Sequence, residues 1–272
     1  MEKLDRRKVL DATMDAARAV GKLMRANLRT TKAVNVSTQY DIKLELDVRA
    51  QKLIEEKLSV AFPKIALLGE EGVAGAADAE HRWVVDPIDG TMNFAYGIPH
   101  ACVSIALQTR KAGRATRNNG ARPGGDYLTI LGVVYDPFND ELWTAIRGQA
   151  ARLNGKVIHV STCRRISEAF LSIGFAKSKE TIEDTLPYFK QLVRRVRKVR
   201  SMGAAALALT YVAMGRFDAY IERGISLWDI AAGGLIVECA GGVFQCKPIS
   251  GHHRYRMVAS NGLIHRRLSI PM

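Results

Sequence analysis

Apolar side chains at Leu4, Val9, Leu10, Met14, Ala17, Val20, Leu23, Met24 and Leu28 recur every three or four residues. That spacing predicts an amphipathic helix over residues 4–28. A second helix is expected from about Asp47 to Val60, with Val48, Leu53, Ile54 and Leu58 on one side and Pro63 ending it. Short β-rich runs follow at Ile65–Leu68, Trp83–Val85, Ala101–Gln108, Tyr127–Tyr135 and Glu141–Ala145. Between two of them, Arg110–Asp126 holds five basic residues, several glycines and a proline, the composition of a loop. The second half alternates strand-like runs (Phe170–Phe175, Phe217–Ile221, Met257–Ala259) with helical ones (Thr181–Val196, Ala204–Met214, Asp229–Ala240). Helices and strands mixed throughout predict a layered α/β or α+β architecture. No repeat, low-complexity tract or linker interrupts the chain, so one domain is expected over 1–272, with 1–150 and 151–272 as its halves.

Composition narrows the classes. The chain has 272 residues, 47% of them apolar and 25% charged, as in a well-cored globular protein. Its net charge of +13 attracts anions but says nothing about fold. The charged start Met1–Lys8 has no apolar run behind it, so no signal peptide is expected. The most apolar stretch, Ile230–Phe244, is broken by Glu238 and four glycines and makes a poor membrane span. Cys102, Cys163, Cys239 and Cys246 form no C-x-x-C pair, which argues against a disulfide scaffold or a zinc site and suits a reduced, cytoplasmic protein.

In so basic a chain, the places where acids gather are informative. Leu67-Leu68-Gly69-Glu70-Glu71 is a β run ending in paired acids. Trp83-Val84-Val85-Asp86-Pro87-Ile88-Asp89-Gly90-Thr91 ends a strand in an acid and turns at proline. Leu227-Trp228-Asp229-Ile230 sets an acid at the mouth of an apolar helix. Each acid also has an ordinary reading: Asp89 and Asp229 as helix N-caps, Glu70 and Glu71 as loop charges, Asp86 as a turn former. Together, however, strand-end carboxylates in one cleft repel unless a cation lies between them, and an all-oxygen set suits Mg²⁺ rather than zinc. Gly90 lets the backbone approach a ligand, and a helix starting near Thr91 would aim N–H groups at an anion. Two Mg²⁺ ions about 3.5–4 Å apart can stabilise both the attacking and the leaving oxygen of an in-line displacement.

From about Asp41 to Asn261 the sequence resembles the inositol monophosphatase family. The motifs are Asp86-Pro87-Ile88-Asp89-Gly90-Thr91-Met92-Asn93-Phe94, Trp228-Asp229-Ile230-Ala231-Ala232-Gly233 and the upstream Gly69-Glu70-Glu71, in the expected order and spacing. The resemblance implies an αβαβα sandwich of the inositol monophosphatase and fructose-1,6-bisphosphatase type, Mg²⁺ dependence, Li⁺ inhibition and a homodimer. It implies hydrolysis of inositol 1-phosphate or a similar small sugar or polyol phosphate by direct attack of a metal-activated water. By position, Glu70, Asp86 and the Ile88 carbonyl would hold one metal, Asp86, Asp89 and Asp229 a second, and Glu70 with waters a third. Thr91 and Asp47 would orient and deprotonate the water, and the Gly90 and Thr91 N–H groups would bind phosphate. Gly203, Ala204, Ala205 and Glu222 match the segments that contact the sugar or inositol ring.

The chain also departs from the family pattern. Leu44 replaces the usual threonine in Asp41-Ile42-Lys43-Leu44-Glu45-Leu46-Asp47, and Ala204 stands where a hydroxyl residue is common. The 110–126 loop is longer than usual, and little of the terminal helix remains after Asn261.

A haloacid-dehalogenase-type phosphatase needs Asp-x-Asp, whereas Asp86 and Asp89 are three apart. Met92-Asn93-Phe94 resembles the inositol-phosphatase form, while bisphosphate nucleotidases and histidinol-phosphate phosphatases often carry Lys there. Fructose 1,6-bisphosphate is the runner-up substrate, with Arg223 able either to hold its second phosphate or to act as a plain surface charge. The run Lys190–Arg200 has six basic residues and no acid, which raises a nucleic-acid or assembly role. It contains no aromatic for stacking and no nucleic-acid-binding motif. The histidines form no metal set, Trp228 is either a cover for the site or a core plug, and Asp218 is expected to be structural.

Overall fold

Asp5 opens α1 (Arg6–Asn27) by accepting the N–H groups of Arg7 and Lys8 at 3.0 and 3.3 Å. The computed structural model describes residues 5–37, 42–76, 78–111, 126–175 and 179–268. Asp41, nearly all of the basic 110–126 loop and the last four residues lie outside them. After a short hairpin, β1 (Val34–Ser37) and β2 (Ile42–Leu44), comes α2 (Glu45–Ala61). It starts two residues before the expected Asp47, because the Asp47 carboxylate turns back to accept the Leu44 N–H at 2.9 Å.

The strands β3 (Ala66–Gly69), β4 (Gly72–Ala74), β5 (His81–Asp89), β6 (Cys102–Arg110), β7 (Tyr127–Asp136), β8 (Glu141–Ile146), β9 (Arg152–Leu153) and β10 (Lys156–Val157) form one sheet. Its order is β10-β9-β8-β7-β6-β5-β3-β4. Every pairing is antiparallel except β3 with β5. Five residues after β5, Thr91–Ala95, form α3. The second sheet holds β11 (Phe170–Ile173), β12 (Lys198–Arg200), β13 (Ala219–Ser226), β14 (Val243–Pro248) and β15 (Arg254–Ser260), in the order β12-β11-β13-β15-β14. Interleaved with these are α4 (Lys179–Arg195), α5 (Ala205–Ala213) and α6 (Leu227–Cys239).

Strand alternation sorts the side chains into layers. Trp83 and Val85, Val103 and Ile105, and Val133 and Tyr135 point from the large sheet into a core shared with Val9, Val20 and Met24 of α1 and Ile54 and Leu58 of α2. Their neighbours Val84, Ala106 and Val134 point the other way, onto α5 and α6. Tyr220, Met257 and Ala259 of the second sheet close that central core from the far side, while Leu171, Ile173, Ile221 and Val258 face Leu192 of α4. The layers therefore run α1/α2, large sheet, α5/α6, small sheet, α4: the expected αβαβα sandwich.

α5 and α6 are apolar nearly all round because they lie between two sheets, as a buried helix must. The apolar stretch 230–244 is accordingly divided, with α6 ending at Cys239, a turn at Gly241 and Gly242, and β14 beginning at Val243. Among the described residues no helix is long and apolar enough to cross a membrane. None of the four cysteines forms a disulfide. Asp218 has the structural role expected of it, accepting the Phe170 N–H at 2.7 Å and the Ser161 hydroxyl.

Candidate active site

The parallel pairing of β3 with β5 puts both C-terminal ends at one edge, with Gly69 in register with Val85. Glu70 therefore follows beside Asp86, and its N–H binds the Val85 carbonyl at 3.1 Å. Beyond Asp86 the ladder slips: Asp86 pairs with Ser104 and Asp89 with Cys102, so three steps on β5 meet two on β6. Pro87, which has no N–H to give, lies in this bulge. In a regular strand residues three apart face opposite sides; the extra residue returns Asp86 and Asp89 to the same side. Gly90 then turns the chain at φ +87°, where an added Cβ would lie 2.9 Å from the His100 carbonyl, so only glycine fits.

The result is a cavity of about 510 Å³ lined by Glu70, Asp86, Ile88, Asp89, Gly90 and Thr91 on one side. Gly203, Ala204, Ala205, Glu222 and Asp229 complete it. The structure thus brings together every residue expected at the site except Asp47. That residue is buried on α2 and is not among the lining residues, with Oδ2 on the Leu44 N–H. Leu44 thus supports the carboxylate through its backbone, while its side chain fills the core. Trp228 lines the cavity and also packs, partly buried, against the central core, and its carbonyl accepts the Ser104 hydroxyl at 3.2 Å.

The ordinary readings of the acids prove partly right, with different partners. Asp229 is not an N-cap: α6 starts at Leu227, and the Asp229 carboxylate reaches back to the Ser226 N–H at 2.9 Å. Asp89 is a cap, but of a helix 116 residues away, where its two oxygens accept the N–H groups of Ala205 (3.0 Å) and Ala206 (2.7 Å). The N-cap position of α5 is Ala204, which has no side-chain acceptor, so Asp89 supplies the missing one. Asp86 does hold a turn, through the Ile88 N–H at 3.1 Å, and Thr91 Oγ1 donates to the Ile88 carbonyl at 2.9 Å. Glu222 takes the Tyr220 hydroxyl and packs against Gly174.

Asp86 and Asp89 are only 2% and 7% exposed. Burial, then repulsion from Glu70, Asp89 and Asp229, pushes the Asp86 carboxyl well above its usual range. Burial raises Asp89 to about 6 against the opposing pull of the two α5 N–H groups. Cys102, which donates to Asp89 at 3.6 Å, is pushed well up by burial and the neighbouring acids, so its thiol stays protonated. Among the described residues no three acids, histidines or cysteines close into a finished metal shell. The acids share one cavity and repel across it. An all-oxygen donor set under that strain fits a hard divalent cation, which would relieve the repulsion.

The model of the inositol monophosphatase family matches residues 5–116 and 126–266. The chain belongs to the inositol monophosphatase family. Curated relatives in this family include Nus factor SuhB of Pseudomonas aeruginosa, 36% identical over 255 residues and covering 91% of this chain and 88% of the relative. Inositol monophosphatase 1 of Solanum lycopersicum is 37% identical over 241 residues, 86% of this chain and 82% of its own. Among solved structures, inositol monophosphatase from Anabaena (Nostoc) superposes with a TM-score of 0.81 at 34% identity, covering 98% of this chain and 95% of that one.

The basic run does not meet this site. Lys190 to Arg195 belong to α4 and Lys198 to Arg200 form edge strand β12. Arg197, Lys198 and Arg200 instead join Arg164, Arg165 and Arg216 along a separate open depression of about 850 Å³. Arg223 is likewise no part of the cavity wall and pairs with Asp184 at 2.8 Å.

Proposed function

We propose that the chain is a Mg²⁺-dependent phosphomonoesterase that hydrolyses a small polyol or sugar phosphate by direct attack of water. One observation carries the reading: Glu70, Asp86, Asp89 and Asp229, from three separate segments, line one cavity with the Gly203–Ala205 segment and Glu222. Glu70, Asp86 and the Ile88 carbonyl would hold one ion, Asp86, Asp89 and Asp229 a second, and Glu70 a third. Bound there, Mg²⁺ supplies Lewis-acid polarisation of the phosphoryl group and a lowered pKa for water.

The chain's own groups do the rest. The N–H groups of Gly90 and Thr91 bind the phosphate. Thr91 orients the attacking water, its hydroxyl fixed by the Ile88 carbonyl. Asp47 takes the proton as general base, an assignment that comes from the family pattern. Of that pair Thr91 lines the cavity and Asp47 does not, so Thr91 is the member that meets the water. Glu222, aligned by Tyr220, accepts hydroxyl hydrogens from the polyol.

Phosphate release from myo-inositol 1-phosphate, fructose 1,6-bisphosphate and adenosine 3′,5′-bisphosphate tests the reading. Release is expected with Mg²⁺, lost with a chelator, inhibited by Li⁺, and fastest on the inositol ester. Preference for either bisphosphate would move the assignment within the family, and a trapped aspartyl-phosphate would overturn direct attack by water. The family pattern also leads us to expect a cytoplasmic homodimer, seen as twice the chain mass by light scattering.

The arginine-lined depression favours one added role, binding of a polyanion such as RNA. Salt-sensitive RNA binding at physiological ionic strength would support that role, and its absence would retire it.

A further inference from the structure

We infer that Arg254 is a specificity-determining residue that receives a second anionic group on those phosphate esters that carry one. The inference rests on the phosphomonoesterase reading of the same cavity and deepens it. Among the residues that line this cavity are five carboxylates, Glu70, Asp86, Asp89, Glu222 and Asp229, and a single cationic side chain, Arg254.

Its place is fixed by the strands beneath it. β13 bulges against β15: Arg223 pairs with Arg256 and Ile225 with Tyr255, leaving Gly224 without a register partner. Gly224 sits at φ +86°, and its carbonyl accepts Arg254 Nη1 at 2.6 Å. The next pair is Ser226 with Arg254, and the Ser226 N–H is held by the Asp229 carboxylate. The bulge thus ties the arginine to the rim on the Asp229 side.

A guanidinium carries five N–H donors, and this one uses a single donor on a neutral carbonyl. Other arginines are committed to carboxylates: Arg147 to Glu238, Arg165 to Glu168, Arg216 to Glu141 and Arg223 to Asp184. No described carboxylate pairs with Arg254, so its charge and the rest of its fork are left for a ligand. A polyol's neutral hydroxyls do not call for a cation, whereas a second phosphate or a carboxylate matches the planar fork and can be taken in a bidentate way.

The matched probes are fructose 1-phosphate and fructose 1,6-bisphosphate, which differ only in the second phosphate. With the full chain and Mg²⁺, R254M is expected to lower the ratio of kcat/KM for the bisphosphate over that for the monophosphate by about ten-fold, through KM. R254K, which keeps the charge but not the fork, should recover part of it. A ratio unchanged in R254M, or an equal loss on both esters in a variant that melts like wild type, overturns the role of Arg254 alone. If the wild-type protein with Mg²⁺ turns over myo-inositol 1-phosphate but neither fructose ester, the role of Arg254 falls alone; if it turns over none of the three, the phosphomonoesterase reading falls, and this one with it.

Discussion

Replacing Asp86 by Asn is expected to cut Mg²⁺-dependent phosphate release by roughly 10³-fold or more, a barrier of several kcal/mol, without unfolding the protein. Asn is isosteric, and its oxygen can still accept the Ile88 N–H that Asp86 accepts at 3.1 Å. What it loses is the negative charge shared between the two proposed ion sites. The stability of the metal-free protein should move in the opposite direction. An acid whose pKa is raised on folding weakens the fold once pH passes its unfolded value, near 3.9, and the cost grows until pH passes the folded value. Burial and the neighbouring acids raise Asp86 in this way. At pH 7–8 without metal, D86N should therefore melt above wild type, by about 2–4 °C for each kcal/mol of repulsion removed. Added Mg²⁺ should narrow the gap by stabilising wild type more. Thermal melts with and without Mg²⁺, beside a phosphate-release assay, check both halves. A D86N protein with near-normal turnover would falsify the metal assignment.

Much of this architecture is legible from periodicity, for a physical reason. α1 buries one stripe against one face of the large sheet, so its spacing is clean and its predicted ends fall within two residues of Arg6–Asn27. The buried strands β5, β6 and β7 appear as apolar runs because both their faces are covered. Trouble starts where burial is complete. Between two sheets the helical stripe of α6 vanishes, and the 230–244 run hides the boundary before β14. By contrast, the apolar residues of the basic Lys190–Arg200 run interleave at helical then strand-like spacing, and the run is indeed divided between the end of α4 and an edge strand.

The acids of the site are legible because strand ends are local features. Their partners are not. That Glu70 stands beside Asp86 follows from a parallel register, which no local pattern encodes. Arg254 has no signal of its own in the sequence. Its place depends on a bulge at Gly224, one strand away. Arg223, next to Glu222 in sequence, can be read as a second-phosphate contact or a surface charge, and its pairing with Asp184 away from the cavity fits the surface charge. The family motifs find the chemistry, and register decides which neighbours reach it.

Asp89 should behave differently from Asp86, because it carries structure as well as charge. Its two oxygens are the acceptors for the Ala205 and Ala206 N–H groups at the start of α5, in a site where Ala204 offers none. D89A removes both acceptors and leaves two buried donors unpaired, at about 1–3 kcal/mol each, so a loss of roughly 2–4 kcal/mol is expected once partial rehydration is allowed for. The damage reaches function by two routes. The charge proposed to face an ion disappears, and the Gly203–Ala205 segment, which lines the cavity, loses the bonds that hold it to β5. D89N keeps one oxygen for one donor and should lose about half as much stability while losing activity as fully as D86N. Urea denaturation would order the three variants: D86N at or above wild type without metal, D89N below it, D89A lowest. Should D89A unfold at the wild-type midpoint, α5 does not depend on this cap. The predicted ordering follows from the geometry: two aspartates three residues apart, turned to one side by one bulge, one bonded to the backbone of its own turn and the other fastened to a distant helix.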